Sequence, residues 1–312
     1  MRASNSGDVT VLAVFSFFLL LTLVALQSEG AGDWIAYHDY CKLEAPRAKP
    51  VKTCVKGHCH PYFLILGAPK AGTTFLAHHL MRHPQIVRSK NKEIGYFDRY
   101  YAKRKFDWYV DQFPKTSPSD ELVSFEATSR NMLYPHLIKN HLPNARFILL
   151  LRDPAERFYS HYGMELRKGF NFTLEDVATR SHRRYEKCTN LHPKPEHLAD
   201  LLRCLGKMPK LYLFGCYARL LEAWYKWYPT RQILILSHEE LTEDPVQALD
   251  KVTTFLNLPK CSWADGQYTA INRNKVTYHN SDNDAFMTTV RKWYRPMNEQ
   301  LEIMLNRTFG WA

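Results

Sequence analysis

Residues 62–84 read Y-F-L-I-L-G-A-P-K-A-G-T-T-F-L-A-H-H-L-M-R-H-P. The apolar run 62–66 predicts a buried strand, and the Gly/Pro/Lys/Gly cluster after it predicts a tight loop. Leu76 and Leu80, with Pro84 beyond them, predict a helix that stops before the proline. Strand, glycine-bearing loop and helix bring backbone N–H groups and a helix N-terminus onto one point, the geometry that holds a phosphate. Gly67 and Gly72 permit the turn, Thr73 and Thr74 add hydroxyls, and Lys70 adds a mobile cation. A nucleoside-triphosphate loop is spelled differently, with lysine directly after its second glycine. Here Lys70 precedes Gly72. Taken alone, the stretch is read equally well as a plain structural turn.

Outward from this loop, residues 147–151 (F-I-L-L-L) predict a second buried strand of the parallel-sheet kind. It runs straight into Arg152-Asp153-Pro154, where Asp153 predicts a helix cap and Pro154 the first helical turn. The Arg152 guanidinium offers a planar fork to a phosphate, and the Ser160 hydroxyl can share it. By itself Arg152 is also read as an ion pair with Asp153 or Glu156.

Runs 123–125 and 232–236 predict further short strands, and 217–228 an aromatic helix ended by Pro229. Asp244-Pro245 opens a helix with Leu249, Val252 and Leu256 on one face, and 286–304 follow helical spacing around Pro296. Residues 168–208 are polar and His- and Arg-rich, and read as a surface insertion with one short helix near 196–204. Strands alternating with helices predict a single α/β domain, a central parallel sheet flanked by helices, with ligands beyond the strands' C-terminal ends.

The chain has 312 residues, 45% of them hydrophobic, and a formal net charge of +11. That charge implies an anionic partner. No long basic run or RNA-binding signature is present, so nucleic acid is not expected. Residues 9–27 are uncharged and mostly apolar, about long enough to span a bilayer. Charge flanking them favours a short cytoplasmic tail (1–8), a signal-anchor (9–27), a stem (28–58) and a lumenal body (59–312). A cleaved signal peptide is the competing reading. Seven cysteines fit the secretory pathway, with Cys54/Cys59 and Cys188/Cys204 as candidate pairs. Asn171-Phe-Thr and Asn306-Arg-Thr are glycosylation sequons.

The order P-K-A-G-T-T resembles the loop with which sulfotransferases hold the 5′-phosphosulfate of 3′-phosphoadenosine 5′-phosphosulfate (PAPS). F-I-L-L-L-R-D-P-A-E-R-F-Y-S-H-Y is similar to their 3′-phosphate segment, which assigns that grip to Arg152 and Ser160. K-E-I-G-Y-F-D, F-D-W-Y-V-D-Q-F-P, S-F-E-A-T-S-R-N-M-L-Y-P and the closing N-R-T-F-G-W resemble segments of the Golgi heparan sulfate and chondroitin branch. That resemblance implies a type II Golgi membrane enzyme, tethered by its N-terminal helix. The enzyme would move sulfate from PAPS to a hydroxyl or amine of an anionic, glycosaminoglycan-like polysaccharide, without a metal. It implies Glu126 as base, with Lys70 and Lys92 stabilising charge. For the donor it implies Lys70, Ala71, Gly72, Thr73, Thr74, Arg152 and Ser160, joined by Arg273 and Lys275 from a closing loop.

Three departures stand out: Thr277 where that loop has arginine, Ala127 where lysine follows the base, and no disulfide-bearing hairpin before the loop. A nucleotide-dependent phosphotransferase or NTPase, and an inactive secreted polyanion-binding protein, are the alternatives.

Overall fold

A computed structural model of the chain describes residues 41–55, 58–206, 210–263 and 281–311. The segment 9–27 lies outside them. Among the described residues no helix is long and apolar enough to cross a membrane.

Three short strands come first: β1 (Lys42–Leu43), β2 (Cys54–Val55) and β3 (His58–Cys59). Then follow β4 (Phe63–Gly67), α1 (Thr73–Leu80), β5 (Ile86–Arg88), α2 (Phe106–Val110) and β6 (Val123–Glu126). Next are α3 (Pro135–Lys139), β7 (Arg146–Leu151), α4 (Pro154–Arg167), α5 (Leu174–Leu191), α6 (Leu198–Leu205) and α7 (Tyr217–Trp227). The described chain ends with β8 (Ile233–Ser237), α8 (His238–Glu243), α9 (Pro245–Phe255), β9 (Cys261–Ser262) and α10 (Ser281–Leu305).

Five strands form one sheet in the order β5-β6-β4-β7-β8, and every neighbouring pair is parallel. The expected α/β class is the observed one. β4 is buried along its whole length, and β7 everywhere but Arg146. Such strands read as unbroken apolar runs because helices cover both faces. Phe63 and Phe125, register partners across β4 and β6, stack with ring centroids 4.8 Å apart. Phe147 of β7 meets Trp224 at 4.8 Å and Tyr228 at 4.5 Å, so those two aromatics belong to the core. Burying each such side chain stabilises the fold by about 1.5–3 kcal/mol.

The helix starts follow local chemistry. Asp153 accepts from the N–H groups of Ala155 (2.7 Å) and Glu156 (3.2 Å), and Asp244 from that of Gln247 (2.9 Å). Pro154 and Pro245 each stand at the first turn, where a missing N–H costs nothing.

Two expectations are corrected. The polar stretch 168–208 carries the eighteen-residue α5 before α6. Its buried stripe of Leu174, Val177, Ala178, Ser181, Tyr185 and Cys188 has helical spacing but is diluted by charged neighbours. The stretch before residue 59 is also part of the packed body from Cys41 onward. β1 pairs with β9, and the Gln85 side chain bonds both the N–H (3.1 Å) and the carbonyl (2.7 Å) of Ala48.

Cys54–Cys59 and Cys188–Cys204 are disulfides, as expected, and Cys41–Cys261 is a third, leaving Cys216 a buried thiol. Cys41–Cys261 spans a sequence separation of 220, so it removes much freedom from the unfolded chain. Replacing both cysteines by serine is expected to lower stability by about 2–5 kcal/mol in non-reducing urea titrations. An unchanged midpoint and slope would contradict this.

Candidate active site

All five parallel strands release their chains at one edge of the sheet, and a cavity of about 750 Å³ lies there. The loop after β4 supplies Pro69, Lys70, Gly72, Thr73 and Thr74, and the start of α4 supplies Arg152, Glu156 and Ser160. The segment after β5 supplies Lys92 and Glu93, the turn after β6 Ser129 and Arg130, and α8 His238 and Thr242.

Gly72 is required twice over. Its φ of +103° suits glycine, and a Cβ there would lie 2.9 Å from a Leu241 methyl and 3.4 Å from His238 Nδ1. The loop therefore rests directly on α8, and α1 begins at once with Thr73. Lys70 lines the cavity with its amine pushed below the ordinary value of 10.5, first by burial and then by Arg167, Arg152 and Lys168. Cations crowded around a half-buried lysine make a place that favours anions.

Arg152 reaches the same spot. Its Nη1 donates to the Lys70 carbonyl at 3.2 Å, and its Nη2 stands 4.0 Å from Glu156, which Arg291 grips at 2.6 Å. The Tyr217 hydroxyl donates to the Arg152 carbonyl at 2.8 Å and holds the backbone of this turn.

Lys92 and Glu93 face the loop from the other side. Lys92 Nζ lies 3.1 Å from Glu93 Oε1 and 3.5 Å from Thr73 Oγ1. Glu93 lines the cavity, with its side chain 41% exposed.

Glu126, the expected base, does not line the cavity. It is fully buried and accepts from five donors: Ile94 N (3.4 Å), Tyr109 Oη (3.2 Å), Thr128 N (3.1 Å), Thr128 Oγ1 and Asn131 Nδ2 (2.7 Å). Burial pushes its carboxyl above 4.5, while bonds from Thr128, Asn131 and Ile94 pull the other way. A carboxylate with its oxygens so occupied has little capacity to take a substrate proton. Its bond to Ile94 N, with Ala127 N donating to the Lys92 carbonyl at 2.8 Å, braces the segment that carries Lys92 and Glu93.

Of the expected donor-binding residues, Lys70, Gly72, Thr73, Thr74, Arg152 and Ser160 line one cavity, as does Lys92. Ala71 lies buried beneath it, with its carbonyl 3.3 Å from His238 Nδ1. Arg273 and Lys275 lie outside the described residues. Sequence reasoning missed Glu93, although it adjoins Lys92 in the quoted segment, because spacing does not say which glutamate meets solvent. It also missed Asp98, Arg99, Arg130, Lys168 and His238 in the wall.

Residues 60–304 match the family model of the sulfotransferase domain. The membrane-associated sulfotransferase kil1 of Dictyostelium discoideum is 26% identical, over 81% of this chain and 67% of its own. The bifunctional heparan sulfate N-deacetylase/N-sulfotransferase 4 of Mus musculus is 28% identical over 79% of this chain; the match covers only 30% of that longer relative. The crystal structure of a sulfotransferase from Alicyclobacillus acidocaldarius superposes with a TM-score of 0.58 at 20% identity, covering 80% of this chain and 97% of that one. It shares the fold.

One wall residue sets a pH dependence. His161 Nδ1 lies 3.2 Å from Arg157 Nη1, and its Nε2 lies 3.6 Å from Glu165. Burial holds the imidazole down from 6.5 to about 4, outweighing the attraction of Glu165, so it is neutral in the folded chain. The unfolded imidazole takes its proton first, so this group costs no stability above pH 6.5 and progressively more as pH falls toward 4. In urea titrations between about pH 7.5 and about pH 5, His161→Asn is expected to flatten the loss of stability seen in the wild type. An equal slope in both proteins would mean that the native imidazole carries a proton.

Proposed function

The chain belongs to the sulfotransferase domain family, and from that premise we propose that it moves the sulfuryl group of PAPS to a hydroxyl or amine of an acidic, heparan sulfate-like polysaccharide. One observation carries the reading: Lys70 and Arg152, from loops after adjacent strands, line one cavity and are tied by the bond between guanidinium and carbonyl. Two phosphates on one nucleotide need two such grips. The loop N–H groups with Thr73 and Thr74 take the 5′ end, and Arg152 with Ser160 takes the 3′-phosphate.

The transfer is a displacement at sulfur. A bond forms from the acceptor oxygen or nitrogen to sulfur as the bond from sulfur to the 5′-phosphate oxygen breaks. Lys70 and the helix N-terminus stabilise charge on the departing phosphate oxygen. Glu93 takes the acceptor's proton. Three rival wall carboxylates are engaged: Glu156 by Arg291, Glu165 by Lys168 and His161, and Asp98 by Arg99 and Arg130. Glu93 has only Lys92 as an ionic partner among the described residues, and Lys92 also reaches toward Thr73 of the donor loop. Glu126 acts as a positioning residue, through Ile94. The acceptor class draws support from the heparan sulfate relative and the basic chain. Three disulfides fit an oxidising compartment such as the Golgi lumen.

Purified chain with radiolabelled PAPS and a panel of desulfated heparan-type glycans is expected to yield labelled glycan; no label on any glycan would overturn the reading. Glu93→Gln is expected to lower kcat by about 10²–10⁴-fold while adenosine 3′,5′-bisphosphate still binds. Glu126→Gln should cost distinctly less in kcat; the reverse order would return the base to Glu126. Arg152→Ala is expected to weaken adenosine 3′,5′-bisphosphate by about ten- to a hundredfold in calorimetry.

A further inference from the structure

On the flank away from Arg152 the cavity carries an ionic cluster that the transfer chemistry does not use. The Asp98 side chain is almost wholly buried, at 2% exposure, between two half-exposed arginines, Arg99 at 53% and Arg130 at 51%. Arg99 Nε lies 3.5 Å from Asp98 Oδ1, and Arg130 Nε lies 3.3 Å from Asp98 Oδ2. Each guanidinium thus meets the carboxylate through its inner nitrogen. Among the described residues no other acceptor takes the outer Nη groups.

Backbone details keep one arm in place. Gly95 has a φ of +70°, which suits glycine, and the Arg99 guanidinium folds back over it, with Nη2 2.2 Å from where a Cβ would stand. The Gly95 N–H in turn donates to Thr128 Oγ1 at 3.0 Å, tying the turn bearing Arg99 to the one bearing Arg130.

Stability does not account for this arrangement. Pairs with a half-exposed arginine contribute little, and burying a carboxylate is costly. Two cations on one anion leave a positive charge, and planar forks fixed at one edge are preorganised for an oxyanion at the other. Strand order says where that oxyanion lies. β4 sits between β6 and β7, so Arg152 and Ser160 stand on one side of the donor loop. Lys92, Glu93, Arg99 and Arg130 come from the segments after β5 and β6, on the other. Glu93 and the two arginines therefore line the same flank of the cavity.

We propose that Arg99 and Arg130, oriented by Asp98, grip an oxyanion, carboxylate or sulfate, on a saccharide adjoining the one that accepts the sulfuryl group. This rests on the sulfotransferase reading above and assigns to two arginines the recognition of an acidic group next to the accepting one.

Steady-state kinetics with heparan-type oligosaccharides test it. Arg99→Gln and Arg130→Gln are each expected to raise the acceptor KM by about tenfold, with a smaller change in kcat and with wild-type affinity for adenosine 3′,5′-bisphosphate. The lysine variants should recover part of the loss, since charge remains and the fork is gone. Two further arms use wild-type enzyme, and so do not depend on any variant folding: carboxyl-reduced and desulfated acceptors. The modification that raises KM as the glutamine variants do identifies which oxyanion is held. If neither modification raises KM, or if the variants leave KM unmoved, this inference is overturned while the sulfotransferase reading stands. Absence of transfer to any glycan removes both.

Discussion

Five parallel strands can release their chains only at one edge of a sheet, and the chemistry of this protein depends on that constraint. β4 lies between β6 and β7 with both faces covered, so the loops after these three strands emerge side by side. The bond from Arg152 to the Lys70 carbonyl is the direct consequence. The two residues would not line a common cavity if β4 and β7 ran in opposite directions. The buried runs 63–67 and 147–151 are therefore more than core: their register sets the spacing of the loops that carry Lys70 and Arg152.

Charge in the cavity is arranged by pairing. Glu156 and Glu165 are held by Arg291 and by Lys168 with His161, and Glu93 by Lys92. Asp98 divides one negative charge between two arginines. Positive potential is left near Lys70 and Arg152 on one flank and near Arg99 and Arg130 on the other. A donor carrying two phosphates and an acceptor carrying acidic groups would approach from opposite sides, meeting where Lys92 and Glu93 stand.

Glu126 illustrates how a buried carboxylate can serve a site it does not enter. Five donors converge on it, among them the N–H of Ile94. Leaving any of those donors unpaired in the interior would be costly, so the network holds the 92–95 segment against the end of β6. The glutamate expected as the base is bonded to the segment that carries Glu93 into the cavity wall.

Much of the fold was legible in the chain. Apolar runs, Asp153-Pro154 and Asp244-Pro245 are signals contained in a few consecutive residues, and each formed the expected strand or helix start. The loop from Lys70 to Thr74 and the pair Arg152 and Ser160 were recognisable by residue order, and they do share a cavity. Helix α5 was obscured because its buried stripe is interrupted by charges, and local composition outweighed spacing. The choice between Glu93 and Glu126, the joining of Cys41 to Cys261 and the clasp of Asp98 by Arg130 could not be read locally. Each depends on which side chain meets solvent, or on which distant segments touch. Sequence by itself determined most of the elements and the two polar loops that meet at the cavity, because backbone propensity and hydrophobic patterning act over short windows. Only the tertiary structure decided which carboxylate lines the cavity and which is buried in the scaffold, because desolvation and long-range pairing exist only once the chain is packed.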